Sequence, residues 1–248
     1  MSNRSRYYYH HVGIPTNIKR EDEEYNKEWK FYANGYFESK FGAEWLRIEE
    51  DSLLHPLIKS FPHVAFVVDD FNKAIKGKNI IYGPNNPAKG VTVCFIEEKG
   101  LPIELLKFDK SENEIWPNDN KLTNPIFLQE KKEVLFNYKY HHLGIYSELG
   151  SQNVQHIENL LINNVNIEKG DFGIRFFNFK KLERYTLPKI IKDIPHIAFM
   201  VRNLEEVIKD KNIVIEPIEL NSNKLVAFVE ENGVPIMLIE ERSAIGFN

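Results

Sequence analysis

At 248 residues, 42% hydrophobic and 27% charged, the chain has an ordinary globular composition and the length for one or two substantial cores. A formal net charge of -4 leaves no basic footprint for nucleic acid or an anionic membrane, and the short Lys/Arg clusters, mixed with Glu, read as solvated faces. No apolar run nears the roughly 20 residues of a membrane helix, Met1 to Tyr7 lack a signal-peptide core, and the single Cys94 can form no internal disulfide, so a reducing cytoplasm is expected.

A duplication sets the domain count. Phe61-Pro62-His63-Val64-Ala65-Phe66 returns as Ile194-Pro195-His196-Ile197-Ala198-Phe199, and without gaps residues 61–108 match 194–241 at 19 of 48 positions. Upstream, Tyr9-His10-His11-Val12-Gly13-Ile14 returns as Tyr140-His141-His142-Leu143-Gly144-Ile145. Such a repeat implies two domains, 1–110 and 138–248, joined by a polar, proline-broken linker over 111–137 with a helix expected at Leu128 to Phe136.

In chain order, residues 9–16 read as a strand with His11, Gly13 and Pro15 on one face. His10, Val12 and Ile14 fall on the other, so His10 and its counterpart His141 are expected to pack away from any ligand. Thr16 or Asn17 caps an expected polar helix to about Phe31, with Glu early and Lys late. Strands follow at Tyr36 to Phe41 and Ala43 to Glu49, the latter with Glu44, Leu46 and Ile48 on one face, which leaves this first module one strand short. His55 sits in a loop as a surface or packing histidine.

Next come a strand at His63 to Val68, a helix from Asp70 to Lys76 and a strand at Asn79 to Tyr82. Gly83-Pro84-Asn85-Asn86-Pro87 reads as a break, and strands at Val91 to Glu97 and Pro102 to Phe108 close a β-α-β-β-β unit. Residues 138–242 repeat the plan, with a helix after Ser147 marked by Val154, Ile157, Leu160 and Leu161. His156 falls among its polar neighbours. The aromatics Tyr36, Phe66 and Phe95 read as core, and Cys94, which faces Ala227 in the repeat, as a small buried residue.

The residues His11-Val12-Gly13-Ile14, Glu44-Trp45-Leu46, Pro62-His63-Val64-Ala65-Phe66 and Gly100-Leu101-Pro102-Ile103-Glu104-Leu105-Leu106, in that order, make the chain resemble the vicinal oxygen chelate superfamily. That group includes glyoxalase I, methylmalonyl-CoA epimerase, extradiol dioxygenases and bleomycin-resistance proteins. The resemblance implies an α+β fold of tandem βαβββ units, forming two glyoxalase-like domains with mixed curled sheets. It also implies a divalent metal held by His11, Glu44, His63 and Glu104, with Glu44 or Glu104 as the proton-shuttling base. Glu44 matches the position where glyoxalase-type members place a fourth ligand.

The residues themselves agree with that chemistry. Glu104 interrupts an apolar strand, and a carboxylate buried there costs several kcal/mol unless a cation or strong donors meet it. Two imidazoles with one or two carboxylates suit Zn, Ni, Mn or Fe(II). In the second half the histidines persist as His142 and His196, while Glu44 becomes Arg175 and Glu104 becomes Met237. One metal site is therefore expected, in the first half, with the second half degenerate.

A plainer reading stands beside this one: histidines that persist where no metal is held are structural in both halves. Functionally, the leading expectation is a metal-dependent enzyme of glyoxalase or epimerase type, acting on a small oxygenated substrate through metal-chelated enediolate chemistry. Without Glu44, the other three form a 2-His-1-carboxylate triad suited to an Fe(II) extradiol dioxygenase. A cavity that binds a drug or metabolite without turnover is the third reading. The partner is a small molecule, nothing points to glutathione, and monomer and homodimer both stay open.

Overall fold

The computed structural model describes residues 5–35, 39–116, 137–147, 172–178, 187–221 and 223–242. The chain forms two compact units, Met1–Lys132 and Glu133–Asn248. Most of the expected linker, with the helix at 128–136, lies outside the described residues, as do the helix after Ser147, His156 and Tyr36.

The first unit runs β1 (Tyr7–Pro15), β2 (Glu24–Asn26), β3 (Phe31–Asn34), β4 (Ala43–Ile48), α1 (Pro56–Ser60), β5 (His63–Val68), α2 (Phe71–Ile75), β6 (Asn79–Ala88), β7 (Val91–Glu98), β8 (Leu101–Phe108) and α3 (Glu112–Ile115). Its strands form one curled mixed sheet in the order β2-β3-β4-β1-β5-β8-β7-β6. The middle pair, β1 and β5, is antiparallel, and each has a parallel neighbour, β4 and β8. Beyond these, β3 and β2 on one side and β7 and β6 on the other pair antiparallel. The sheet is thus two copies of one four-strand module, joined at the Val12/Val64 pair.

Local chemistry explains the short helices. His55 caps α1, its Nδ1 accepting from the Leu57 N–H at 3.3 Å, with Pro56 at the first helical turn and Ile58 buried beneath. Asp70 caps α2 through the Lys73 N–H. The run Leu101–Leu106 is buried at all six positions, so β8 is covered on both faces.

Four expectations are corrected here. The polar helix from residue 16 or 17 to 31 does not form: its charges alternate without an apolar stripe, and the stretch gives turns and β2 instead. The first module is accordingly not short of a strand; it has four, and among the described residues it lacks the helix. The proline-rich break at 83–87 is instead part of β6, which crosses it through successive register shifts against β7. Of the strand expected at Tyr36 to Phe41, Ser39 to Phe41 are not strand.

The second unit has β9 (Lys139–Ser147), β10 (Ile174–Asn178), α4 (Lys189–Asp193), β11 (His196–Val201), α5 (Leu204–Ile208), β12 (Asn212–Asn221), β13 (Lys224–Glu231) and β14 (Val234–Glu241). Its described strands form a second curled mixed sheet, β10-β9-β11-β14-β13-β12. Asn203 caps α5 through the Glu206 N–H, as Asp70 caps α2. Cys94 is fully buried and its thiol is pushed up to about 11 by burial, an inert core residue. Among the described residues no helix is long and apolar enough to cross a membrane.

Candidate metal centre

The centre of the first sheet builds a site from its register. Tyr9 pairs with Phe66 but His11 pairs with Ala65, so His10 is an extra residue, a bulge in β1. Two contacts brace it: the Tyr9 hydroxyl donates to the Phe41 carbonyl at 2.6 Å, and the Val12 N–H donates to the Gly42 carbonyl at 2.9 Å. The bulge turns His10 to the same side as His11, and the two Nδ1 atoms lie 2.8 Å apart. His10 therefore lines the cavity with His11 rather than packing away from it, a correction to simple alternation.

Across the β1/β5 ladder each histidine faces a small residue: His11 is opposite Ala65, and His63 is opposite Gly13. A Cβ on Gly13 would stand 2.1 Å from His63 Cε1, so glycine here provides room for a ring. Glu44 on β4 pairs with Gly13, and Glu104 on β8 pairs with Ala65. Turning the sheet about the Val12/Val64 pair exchanges His11 with His63 and Glu44 with Glu104. The four candidates are two copies of one histidine–carboxylate pair.

Their geometry is tight for three. Glu104 Oε2 lies 3.0 Å from His11 Nε2 and 3.2 Å from His63 Nε2, and all three donor atoms fall within 4.8 Å of one another. The side chains of His11, His63 and Glu104 are only 10%, 3% and 7% exposed. Glu44 Oε2 stands farther out, 3.8 Å from His11 Nε2, and is about one-fifth exposed at 19%.

The two carboxylates titrate apart. Burial alone would raise Glu104, but His11 and His63 outweigh it and hold the carboxyl well below the usual range. Glu44 is pushed up to about 7, first by burial and then by the Glu104 charge, with His11 opposing. His63 is lowered, first by burial, and its Nδ1 has no hydrogen-bond partner.

These groups open on a cavity of about 320 Å³ walled by apolar side chains, among them Trp29, Leu54, Val93, Phe95 and Trp116. Among the described residues no lysine or arginine lines it. Phe95, expected as core, is 3% exposed yet also lines the cavity, edge-on to His63 at 5.1 Å. Sequence reasoning missed His10, Trp29 and Trp116. The signal for His10 was the adjacent histidine doublet repeated in both halves; Trp29 lay in the stretch misread as helix.

The second unit repeats the frame with other contents. His196 pairs with Gly144 and His142 with Ala198, Arg175 takes the Glu44 place beside Gly144, and Met237 takes the Glu104 place beside Ala198. A Cβ on Gly144 would stand 2.0 Å from His196 Cε1. His142 and His196 face each other at 3.2 Å between Nε2 atoms. Burial first, then the Arg175 charge, lowers His196 to about 3, and His142 is held far below its usual value by burial and by His196. Tyr146, Phe177 and Phe228 pack on the His196 ring at 5.4, 5.3 and 5.4 Å, where the first unit has Pro15, Leu46 and Phe95. Among the described residues, the one cluster of three or more potential metal donors is His11, His63 and Glu104.

Paired four-strand modules, antiparallel at the middle and carrying these positions in register, decide the architecture. The fold is the α+β, two-unit glyoxalase-like one that the sequence resemblance implies. No family model and no curated protein matches the chain. Among solved structures, 37 chains match. One is a hypothetical protein from Bacillus halodurans, at 14% identity over 75% of this chain and 96% of that one, with a TM-score of 0.20. Another is a triple mutant of 4-hydroxymandelate synthase from Streptomyces coelicolor, at 12% identity over 88% and 82%, with a TM-score of 0.39. Likeness at that level says nothing of chemistry; strand order and register carry the fold.

Proposed function

We propose that the first unit is a metal-dependent enzyme of glyoxalase or epimerase type, moving a proton at carbon in a small, largely apolar, oxygenated substrate. The observation that carries this reading is Glu104, a carboxylate 7% exposed and bracketed by two imidazoles at 3.0 and 3.2 Å on the wall of a cavity. Two histidine nitrogens and a carboxylate form a donor set that fits a divalent first-row ion. Held by His11, His63 and Glu104, such an ion would supply positive charge to adjacent substrate oxygens and acidify the neighbouring C–H.

The chain's own groups divide the remaining work. Glu104, kept ionised, is the holder. Glu44 stands beside the set rather than within it, and a carboxyl near 7 takes up and releases protons close to neutrality. It is the base that carries the proton across the substrate carbon. The apolar walls favour a neutral ligand and limit water around the reacting atoms.

One observation favours a second reading. The three tight donors exclude Glu44, which is the pattern of a 2-His-1-carboxylate triad and suits ferrous oxygen chemistry of extradiol type. Elemental analysis of tag-free protein tests both readings: about one equivalent of a divalent metal is expected in the wild type and close to none in Glu104→Ala. Equal content in both would remove Glu104 from the ligand set, and metal-free wild type would leave a binding protein without turnover. Solvent deuterium entering a panel of α-hydroxycarbonyl compounds, and lost in Glu44→Gln, supports proton transfer. Oxygen uptake with catechols that survives Glu44→Gln supports the ferrous reading.

A further inference from the structure

Beside the donor set lies a pair of side chains that the proposed chemistry does not use. His10 Nδ1 faces His11 Nδ1 at 2.8 Å, and Glu112 Oε1, on α3, lies 3.5 Å from His10 Nε2. The His10 and Glu112 side chains are 11% and 25% exposed, and the His10 ring rests on Phe108 at 5.3 Å. We propose that Glu112 and His10 are positioning residues that set the tautomer of His11, so that its Nε2 offers a lone pair to a divalent cation. The proposal rests on the reading of His11 as a ligand.

The argument is one of donors and acceptors. Two ring nitrogens at hydrogen-bond distance need one N–H and one lone pair between them, and nothing in the His10–His11 pair alone decides which is which. Glu112 decides it. An ionised carboxylate only accepts, so it favours the hydrogen of His10 on Nε2. That leaves the His10 Nδ1 lone pair facing inward, and His11 must then carry its hydrogen on Nδ1 and donate. The Nε2 of His11, on the side of Glu104, is freed for a cation. A ligating histidine whose other nitrogen is fixed by an outer acceptor holds metal more tightly, and loss of such an acceptor typically costs about 10–100-fold in affinity.

Two features make the contact more than incidental packing. The bulge in β1 is what brings His10 to this side, since a regular strand would point it away from His11. The second unit supplies a control. There the same bulge gives a His141–His142 contact of 2.7 Å, but the His141 ring sits in the field of Arg175 and Lys224 as well as Glu241, and is lowered to about 4, first by burial. The histidine doublet is common to both units; among the described residues, the contact of its outer nitrogen with a carboxylate is to Glu112 on α3 of the first.

Titration of the chelator-treated full chain with Co²⁺, followed by visible absorption, tests this together with ¹⁵N NMR of the histidine rings. His10→Leu removes the acceptor and is expected to weaken Co²⁺ about 10–100-fold, and Glu112→Leu by about tenfold. His10→Asn, whose Oδ1 can accept in place of Nδ1, is expected to stay within about threefold of wild type. With Zn²⁺ bound, the wild-type spectrum should show hydrogen on His11 Nδ1 and on His10 Nε2. Melting curves of the metal-free variants separate a folding defect from lost affinity, and rescue by His10→Asn is an effect that simple packing would not produce. Wild-type binding that His10→Leu leaves unchanged, or hydrogen found on His10 Nδ1, overturns the relay alone. No binding by the wild type overturns the metal reading and the relay with it.

Discussion

The two units hold one backbone frame and two different sets of contents. In both, a bulge follows the tyrosine of the first strand, a glycine makes room for a ring, and a pair of buried histidines faces a small residue across the ladder. In the first, Glu44 and Glu104 complete the set; in the second, Arg175 and Met237 do. The histidines therefore belong to the frame and persist without a metal-binding partner set. The carboxylates are what distinguish the two sets, and Tyr146 and Phe177 lie against His196 where the first unit has Pro15 and Leu46.

The sharpest way to break that comparison is to exchange contents. Glu104→Met gives the first unit the residue of the second. Loss of metal affinity by more than about a hundredfold is expected, since a charged ligand is removed from a set of three. The same variant, measured without metal by urea denaturation, is expected to lose only about 1–3 kcal/mol, the scale of removing one hydrogen-bond partner, since the second unit holds Met237 at this register. A strongly destabilised metal-free variant would mean that Glu104 is chiefly a structural partner of the two histidines.

Next in size are the glycines. Gly13→Ala and Gly144→Ala each place a methyl 2.0–2.1 Å from a histidine carbon, and neither ring can retreat without disturbing a buried contact. Each is expected to destabilise by about 2–3 kcal/mol, the range for overpacking a core. Only Gly13→Ala should also release metal, which equilibrium dialysis would show. Equal metal content in the two variants would detach His63 from the site.

Much of this frame was legible in the residues. The duplicated His-opening strands gave the modules, and the isolated Glu104 in an apolar run marked a carboxylate in need of partners. The second half acted as a built-in control, because a guanidinium and a thioether at the matching positions are chemically unlike a donor set. What alternation could not show was the bulge: one extra residue at His10 reverses the face of its neighbours without changing the pattern. The stretch 17–31 failed for a related reason, since favourable end charges do not make a helix without an apolar stripe, and the hairpin that formed supplied Trp29 to the cavity. Glu44 could be placed on its strand, but its 3.8 Å stand-off from His11 depends on how the strands curl.

Acid should separate the units by magnitude. His196 stays neutral in the fold down to about 3, while in the unfolded chain it takes a proton near 6.5. The second unit loses stability below about pH 6.5, by about 2 kcal/mol between pH 7 and pH 5 through His196 alone, and His141 and His142 add loss of the same sign. Glu44 works the other way in metal-free protein: raised to about 7, it binds a proton in the fold before the unfolded chain does. Falling pH then adds about 2 kcal/mol through Glu44 over the same interval, opposed by His63, whose burial keeps it neutral in the fold. All three tryptophans, Trp29, Trp45 and Trp116, belong to the first unit, so their fluorescence follows that unit alone. Amide exchange of β11 follows the other. An equal loss in both would show that Glu44 is not the raised carboxyl.

The smallest effect concerns filling. Phe177 stacks on His196 at 5.3 Å and on Tyr146 at 5.1 Å, where the first unit has Leu46 beside open space. Phe177→Leu copies the first unit at that point. If the trio merely fills volume left when the carboxylates were lost, the substitution should cost about 1 kcal/mol, the scale of removing a few methylene equivalents from a half-buried position. A cost of about 3 kcal/mol or more, the scale of emptying a well-packed aromatic site, would instead make the trio a core element of its own. In that case the open cavity of the first unit is not a filled core with residues removed. It is space held open by the module itself, with the wall from Trp29 to Trp116 built around it.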